Sequence, residues 1–186
     1  MLNSKIIYSL FAIGSFSIFS LSSCHPETSQ PAQKELKRAI VNMSATNSSG
    51  LSGNVLFEET ADGMIMMTAN IEGISPGAHA IHIHETGDCS APDGTSAGGH
   101  WNPTNEDHGV WGGAHFHRGD IGNIVADSSN KGTITRTTDL WCIDCGDATK
   151  NVIGKAIIIH QGPDDFSSQP SGAAGPRIGC GVIELQ

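Results

Sequence analysis

The sequence predicts an all-β fold, a closed barrel or sandwich of eight short strands carrying two long functional loops. Three observations predict it. Apolar and polar residues alternate in short runs bounded by Gly, Asp and Asn, the mark of strands joined by turns. Glycine is abundant, at 23 of 186 residues, which suits a turn-rich β domain and penalises helices. No amphipathic helical stripe occurs after the first 24 residues.

The elements follow in chain order. Lys5 opens a short basic region, and Ile6 to Phe19 is apolar and uncharged. That stretch is too short and Ser-rich for a membrane span and predicts an export signal. Leu21-Ser22-Ser23-Cys24 resembles the lipobox of bacterial lipoproteins, so residues 1–23 are expected to be removed and Cys24 lipidated. Residues 24–38 are polar, with two prolines, and predict a flexible tether. The domain proper is expected over 39–186. Its strands are predicted at Ala39–Ala45, Gly53–Glu58, Met64–Ile71, Ala78–His84, Asn123–Ala126, Thr133–Thr137, Ile153–His160 and Gly181–Leu185, the fifth and sixth forming a hairpin. Glu85–Gly122 and Gln161–Gly179 interrupt this rhythm. Loops of that length in a compact domain usually bear function.

Charge excludes some classes. The chain carries −9 overall, or −10 once Lys5 leaves with the signal. Such an acidic chain is a poor ligand for nucleic acid or an anionic membrane surface. Membrane association is expected through the Cys24 lipid alone, on the periplasmic face of a bacterial membrane. Of five cysteines, four remain after Cys24: Cys89, Cys142, Cys145 and Cys180. Four allow three pairings. Cys142 and Cys145 are close enough to pair within one turn, which leaves Cys89 with Cys180, and the even number suits an oxidising compartment.

Histidines concentrate in the strand before the first long loop and within that loop. Side chains alternate faces along a strand, so His82 and His84 share one face while His79, Ile81 and Ile83 take the other. His79 is therefore expected to be structural. His160 ends a second apolar strand. The first long loop adds His100, His108, His115, His117 and Asp120. Imidazoles with one carboxylate make a reasonable zinc shell, and imidazoles also suit copper. Trp101, Trp111 and Trp141 are expected to pack, and Met64, Met66 and Met67 to be barrel interior and an exposed neighbour rather than copper ligands.

The motifs His82-Ile83-His84-Glu85, Gly98-Gly99-His100-Trp101-Asn102-Pro103, His117-Arg118-Gly119-Asp120-Ile121-Gly122-Asn123, His160, Asp164-Asp165 and Gly175-Pro176-Arg177-Ile178-Gly179-Cys180-Gly181-Val182-Ile183 occur in that order. Together they resemble the Cu,Zn superoxide dismutase family, whose fold is a Greek-key barrel. The resemblance runs from about Ala39 to Gln186. It implies one copper ion held by His82, His84, His100 and His160, and one zinc ion held by His100, His108, His117 and Asp120, with His100 shared. It implies that Arg177 attracts the substrate, superoxide, which redox cycling of copper converts to oxygen and hydrogen peroxide. Zinc would be the structural and electrostatic partner. Asp164 would orient one histidine at each metal, and Cys89–Cys180 would be the family disulfide. His115 has no ligand counterpart. Gln161–Pro176 contains no Lys or Arg, unlike the lysine-bearing loop of eukaryotic members, which predicts weak long-range steering. A copper-buffering protein on the same fold is the alternative, and Arg177 argues for the enzyme. The resemblance leaves monomer or homodimer open.

Overall fold

A computed structural model describes residues 35–186, which form a compact unit, Glu35–Gln186. The signal, Cys24 and most of the expected tether lie outside the described residues. The unit contains β1 (Arg38–Ala45), β2 (Ser52–Glu59), β3 (Ile65–Glu72), β4 (Gly77–His84), β5 (Asp120–Ala126), β6 (Lys131–Thr138), β7 (Ala156–His160), β8 (Arg177–Val182) and a two-residue β9 (Glu184–Leu185). One 3₁₀ turn, Thr95–Ala97, is the sole helical element among the described residues.

The strands pair antiparallel in the order β2-β3-β6-β5-β4-β7-β8-β1, and β1 pairs with β2 to close an eight-stranded barrel. The inward residues fill it: Val41, Phe57, Met67, Ile81, Ile83, Ile124, Ile157 and Ile159 are fully buried. Closure removes the edges that would otherwise template aggregation. The β5–β6 seam holds a single residue pair, Ala126↔Gly132, and further along it the Arg136 Nε–H donates to the Ile121 carbonyl at 3.1 Å. The hairpin turn is set by Asp127, whose Oδ1 accepts from the backbone of Ser129 and Lys131, with Asn130 at φ 64.

β4 and β7 are buried on both faces. Ile81, Ile83, Ile157 and Ile159 belong to the barrel interior, while Ala156, Ile158 and Cys180 form a second cluster with Ala97 and Cys89. The second cluster lies on the outer wall, because alternation turns Ile158, His160, His82 and His84 away from the interior. The two long loops roof that wall. The Cys89–Cys180 disulfide pins the first loop to β8, and Cys142–Cys145 closes a small loop between β6 and β7.

Three strand starts differ from the sequence expectation by three or four residues, while the other starts move by two at most. β5 begins at Asp120 rather than Asn123, across a bulge opposite Ile81/His82. β7 begins at Ala156 rather than Ile153, because the Lys155 N–H turns back to the Val152 carbonyl. β8 begins at Arg177 rather than Gly181, and breaks at Ile183 before β9. Its glycines, poor strand formers in general, are there for close packing. A Cβ at Gly179 would stand 2.7 Å from Leu51 Cδ1, and one at Gly181 would stand 2.5 Å from Val41 Cγ1.

Candidate metal centre

Two bulges aim the site. Between Ile81 and His82 the β4–β5 register slips, which sets Asp120 opposite His82. Between Ile159 and His160 the β7–β8 register slips, which sets Arg177 opposite His160. A bulge adds local twist and redirects the side chains beside it. His100 enters by an isolated bridge to His84, and its neighbour Trp101 is held by N–H donation to the Ile83 carbonyl at 2.8 Å. The end of β4 thus gathers donors from three parts of the chain.

The buried donors form two groups sharing His100: His82, His84, His100 and His160, and then His100, His108, His117 and Asp120. In the first group each strand histidine has one nitrogen committed. His82 Nε2–H donates to Asp164 Oδ2 at 2.9 Å, His84 Nδ1–H to the Gly98 carbonyl at 2.9 Å, and His160 Nδ1–H to the Gly175 carbonyl at 3.0 Å. Their other nitrogens, His82 Nδ1, His84 Nε2 and His160 Nε2, are buried without a hydrogen-bond partner, as is His100 Nε2. Buried polar atoms in folded proteins are almost always paired. Four convergent unpaired lone pairs are the chemistry of a cation site. Burial pushes His82 down to about 3 and His160 to about 4, so these rings are neutral and free to ligate near neutral pH.

The second group surrounds one oxygen. Asp120 Oδ1 lies 2.9 Å from His100 Nδ1, 3.0 Å from His108 Nδ1 and 3.2 Å from His117 Nδ1, and the His100 and His117 Nδ1 atoms are 3.5 Å apart. His108 Nδ1 makes no hydrogen bond despite that proximity. A tetrahedral ion with bonds of about 2.0–2.1 Å separates its donors by about 3.3–3.4 Å; the observed spacings of 2.9 to 3.5 Å span that value, most of them a few tenths of an ångström short of it. The other oxygen, Asp120 Oδ2, accepts from the backbone of His117 at 2.7 Å and Gly109 at 3.1 Å. Burial alone would raise Asp120; the three histidines hold it well below the usual carboxylate range.

Asp164 joins the groups, accepting from His82 at Oδ2 and from His108 Nε2–H at Oδ1, 2.9 Å each. Over the first group opens a cavity of about 430 Å³ lined by His84, His100, His160, Pro170, Ser171 and Arg177, among others. Arg177 is fixed by donation to the Gly94 and Gly98 carbonyls at 2.5 and 2.7 Å. Among the described residues, no Lys and no carboxylate lines this cavity.

Every residue expected to be a ligand is therefore in one of the two groups. His79 is not, as anticipated: its ring nitrogens face the His160 carbonyl at 3.0 Å and the Ser75 carbonyl at 2.8 Å. His115 is exposed and meets Glu106 Oε2 at 2.9 Å. Trp141 is packing, edge-on to Phe57 at 5.7 Å and 4.9 Å from Trp111, with its indole N–H on the Arg118 carbonyl. Met67 is buried in the barrel.

Sequence reasoning missed two carboxamides. Asn123 clamps Asp164 from both sides of its backbone, donating to its carbonyl at 3.0 Å and accepting from its N–H at 2.7 Å. Gln169 does the same to His108. Neither has a periodic signal; Asn123 closes the motif that begins at His117, which gives no clue to its contact with Asp164, and Gln169 sits in a loop without pattern.

This architecture defines a class, an antiparallel β-barrel with two groups of buried donors that could hold metal ions on its outer wall. The family model for copper/zinc superoxide dismutase matches residues 51–183. Among solved structures, one titled a crystal structure analysis of the clock protein EA4 is 34% identical, with a TM-score of 0.71, covering 80% of this chain and 94% of that one. The chain belongs to the copper/zinc superoxide dismutase family.

Proposed function

We propose that this chain is an active superoxide dismutase that binds one copper and one zinc ion. His82 Nδ1, His84 Nε2, His100 Nε2 and His160 Nε2 would hold copper. The Nδ1 atoms of His100, His108 and His117, with Asp120 Oδ1, would hold zinc. The observation that carries the reading is His100, whose two ring nitrogens each face a different complete donor set, one of them opening on the cavity that holds Arg177. Copper, when bound, supplies the redox chemistry that takes an electron from one superoxide and gives one to another, while zinc is redox-silent.

The protein's own part follows from its geometry. The committed second nitrogens fix the tautomers and orientations of His82, His84 and His160, so binding requires little reorganisation. Among the cavity's described lining residues, Arg177 is the one permanently cationic side chain. Its anchored guanidinium attracts the anionic substrate and holds it beside His84 and His160. His100 Nε2 is the ring atom at which the chain can hold a proton next to the cavity for delivery to the peroxide product. A metal buffer would have no use for Arg177 in this position.

Export and lipidation at Cys24 belong to the same proposal, supported by the lipobox-like sequence and by two disulfides that suit an oxidising compartment. The test is metal analysis with superoxide consumption on chain loaded with both ions. Stoichiometric copper and zinc with rapid consumption is the expected result. Consumption unchanged in His160→Ala would overturn the reading.

A further inference from the structure

The loop over residues 161–176 touches the second donor group at three points, all on His108. Asp164 Oδ1 accepts from its imidazole. Gly172, at φ 67, packs so tightly on the pair that a Cβ there would overlap Asp164 Oδ1 and stand 2.7 Å from His108 Nε2. The third contact is Gln169. Its Oε1 accepts from the His108 N–H and its Nε2–H donates to the His108 carbonyl, 2.9 Å each. One side-chain amide thus imitates a strand neighbour and satisfies both backbone groups of a single loop residue, which burial makes obligatory. The two residues that follow Gln169, Pro170 and Ser171, line the cavity over the other donor group.

We propose that Gln169 is a positioning residue that locks the 161–176 loop to the backbone of His108, so that seating of the zinc-side donors and the shape of the copper-side cavity mouth are set together. This rests on the reading above that His108 is a zinc donor. The linkage is reciprocal: whatever fixes His108 also fixes Pro170 and Ser171, and a loop displaced from the cavity mouth withdraws support from His108. Asp164 constrains only the ring of His108, whereas Gln169 constrains its main chain. The two contacts are needed together to hold the Nδ1 atom on its target.

The test compares wild type, Gln169→Ala and Gln169→Glu, each loaded with zinc and copper. Zinc affinity is read by competition with a chromogenic chelator, the geometry of the donor set by the visible spectrum of cobalt(II) in place of zinc, and the cavity mouth by hydrogen exchange over residues 168–174. Alanine should weaken zinc binding about 10-fold, the lower end of the range for partners that orient ligands. It should also shift the cobalt bands and speed exchange in the loop. Glutamate keeps the acceptor but sets an oxygen against the His108 carbonyl, so it should weaken zinc at least as much. A role in bulk stability alone would leave the cobalt bands in place. Both variants matching wild type in zinc affinity and cobalt spectrum would overturn the clamp while leaving the metal assignment standing. A wild-type chain that takes up no zinc at all would overturn both.

Discussion

The two donor groups share His100 and are both oriented by Asp164, yet they are built differently. The first is built from strands: His82 and His84 lie in β4 and His160 in β7, on a wall whose other face is the barrel core. The second is built from the connection between β4 and β5, and its one strand residue, Asp120, is the first of β5. Strand-borne donors inherit their geometry from sheet register. Loop-borne donors are held by what the loop touches, here Asp164, Gln169 and the backbone around Asp120 Oδ2. The first group should therefore stay rigid without metal, while the second should keep its contacts but open more often when its ion is removed. Zinc removal should raise hydrogen exchange over residues 101–119 and leave β4 and β7 unchanged.

The strongest way to separate the groups is to remove a donor from one of them. His160→Ala takes a lone pair from the strand group and should lower superoxide consumption at least about 10³-fold, since the redox ion loses its site. Zinc content, measured on the same protein, should remain near one per chain. Asp164→Ala strikes both groups at once, because the carboxylate orients His82 and His108. Affinity for each ion should fall by about 10–100-fold. A fall at only one site would show that the other is oriented without Asp164.

Stability should follow the same division. Cys89→Ser frees the first loop from β8 and opens a closure of 91 residues; a loss of about 2–5 kcal/mol is expected in denaturant titration. In the metal-free chain, pH should act oppositely on the two groups. Burial depresses His82 and His160, so between pH 6.5 and their folded values of about 3 and 4 the unfolded chain binds more protons. Stability is lost as pH falls below 6.5. For His108 burial is outweighed by Asp120 and Asp164, which raise it to about 9. Its contribution is complete below pH 6.5 and is lost as pH rises through 9. Metal-free protein should thus melt highest near pH 6.5. Zinc should abolish the alkaline decline, because a ligated His108 Nδ1 carries no proton.

The strand-borne half of this centre was legible in the sequence because period-two alternation dictates it. His82 and His84 had to share a face, and His79 the opposite one. The loop-borne half was legible only through family motifs. His115 and His117 stand two residues apart in one loop, yet one pairs with Glu106 in solvent and the other is buried among the donors; no local pattern separates them. The amides of Asn123 and Gln169 were invisible for the same reason, since a carboxamide that bonds to a backbone leaves no hydropathy signal. β8 was under-read because Gly179 and Gly181 lower strand propensity, whereas their value is the space they leave for Leu51 and Val41.

The smallest expected effect concerns the approach to the strand-borne group. Eukaryotic relatives line that approach with lysines, and here Gln161–Pro176 has no basic residue while the chain as a whole is acidic. Long-range attraction falls off with the screening length, about 10 Å at 0.1 M salt. Arg177 lines the cavity itself and acts inside that length, where added salt screens little. The net charge opposes an incoming anion from afar, and salt weakens that repulsion too. The two effects run against each other, so the second-order rate constant for superoxide should change by less than about threefold between 0.02 and 0.2 M salt, within the low end of steering effects. A steep decline over that range would mean that cations outside the described cavity lining guide the substrate. Arg177→Ala should lower the rate at every ionic strength while leaving the shallow slope unaltered.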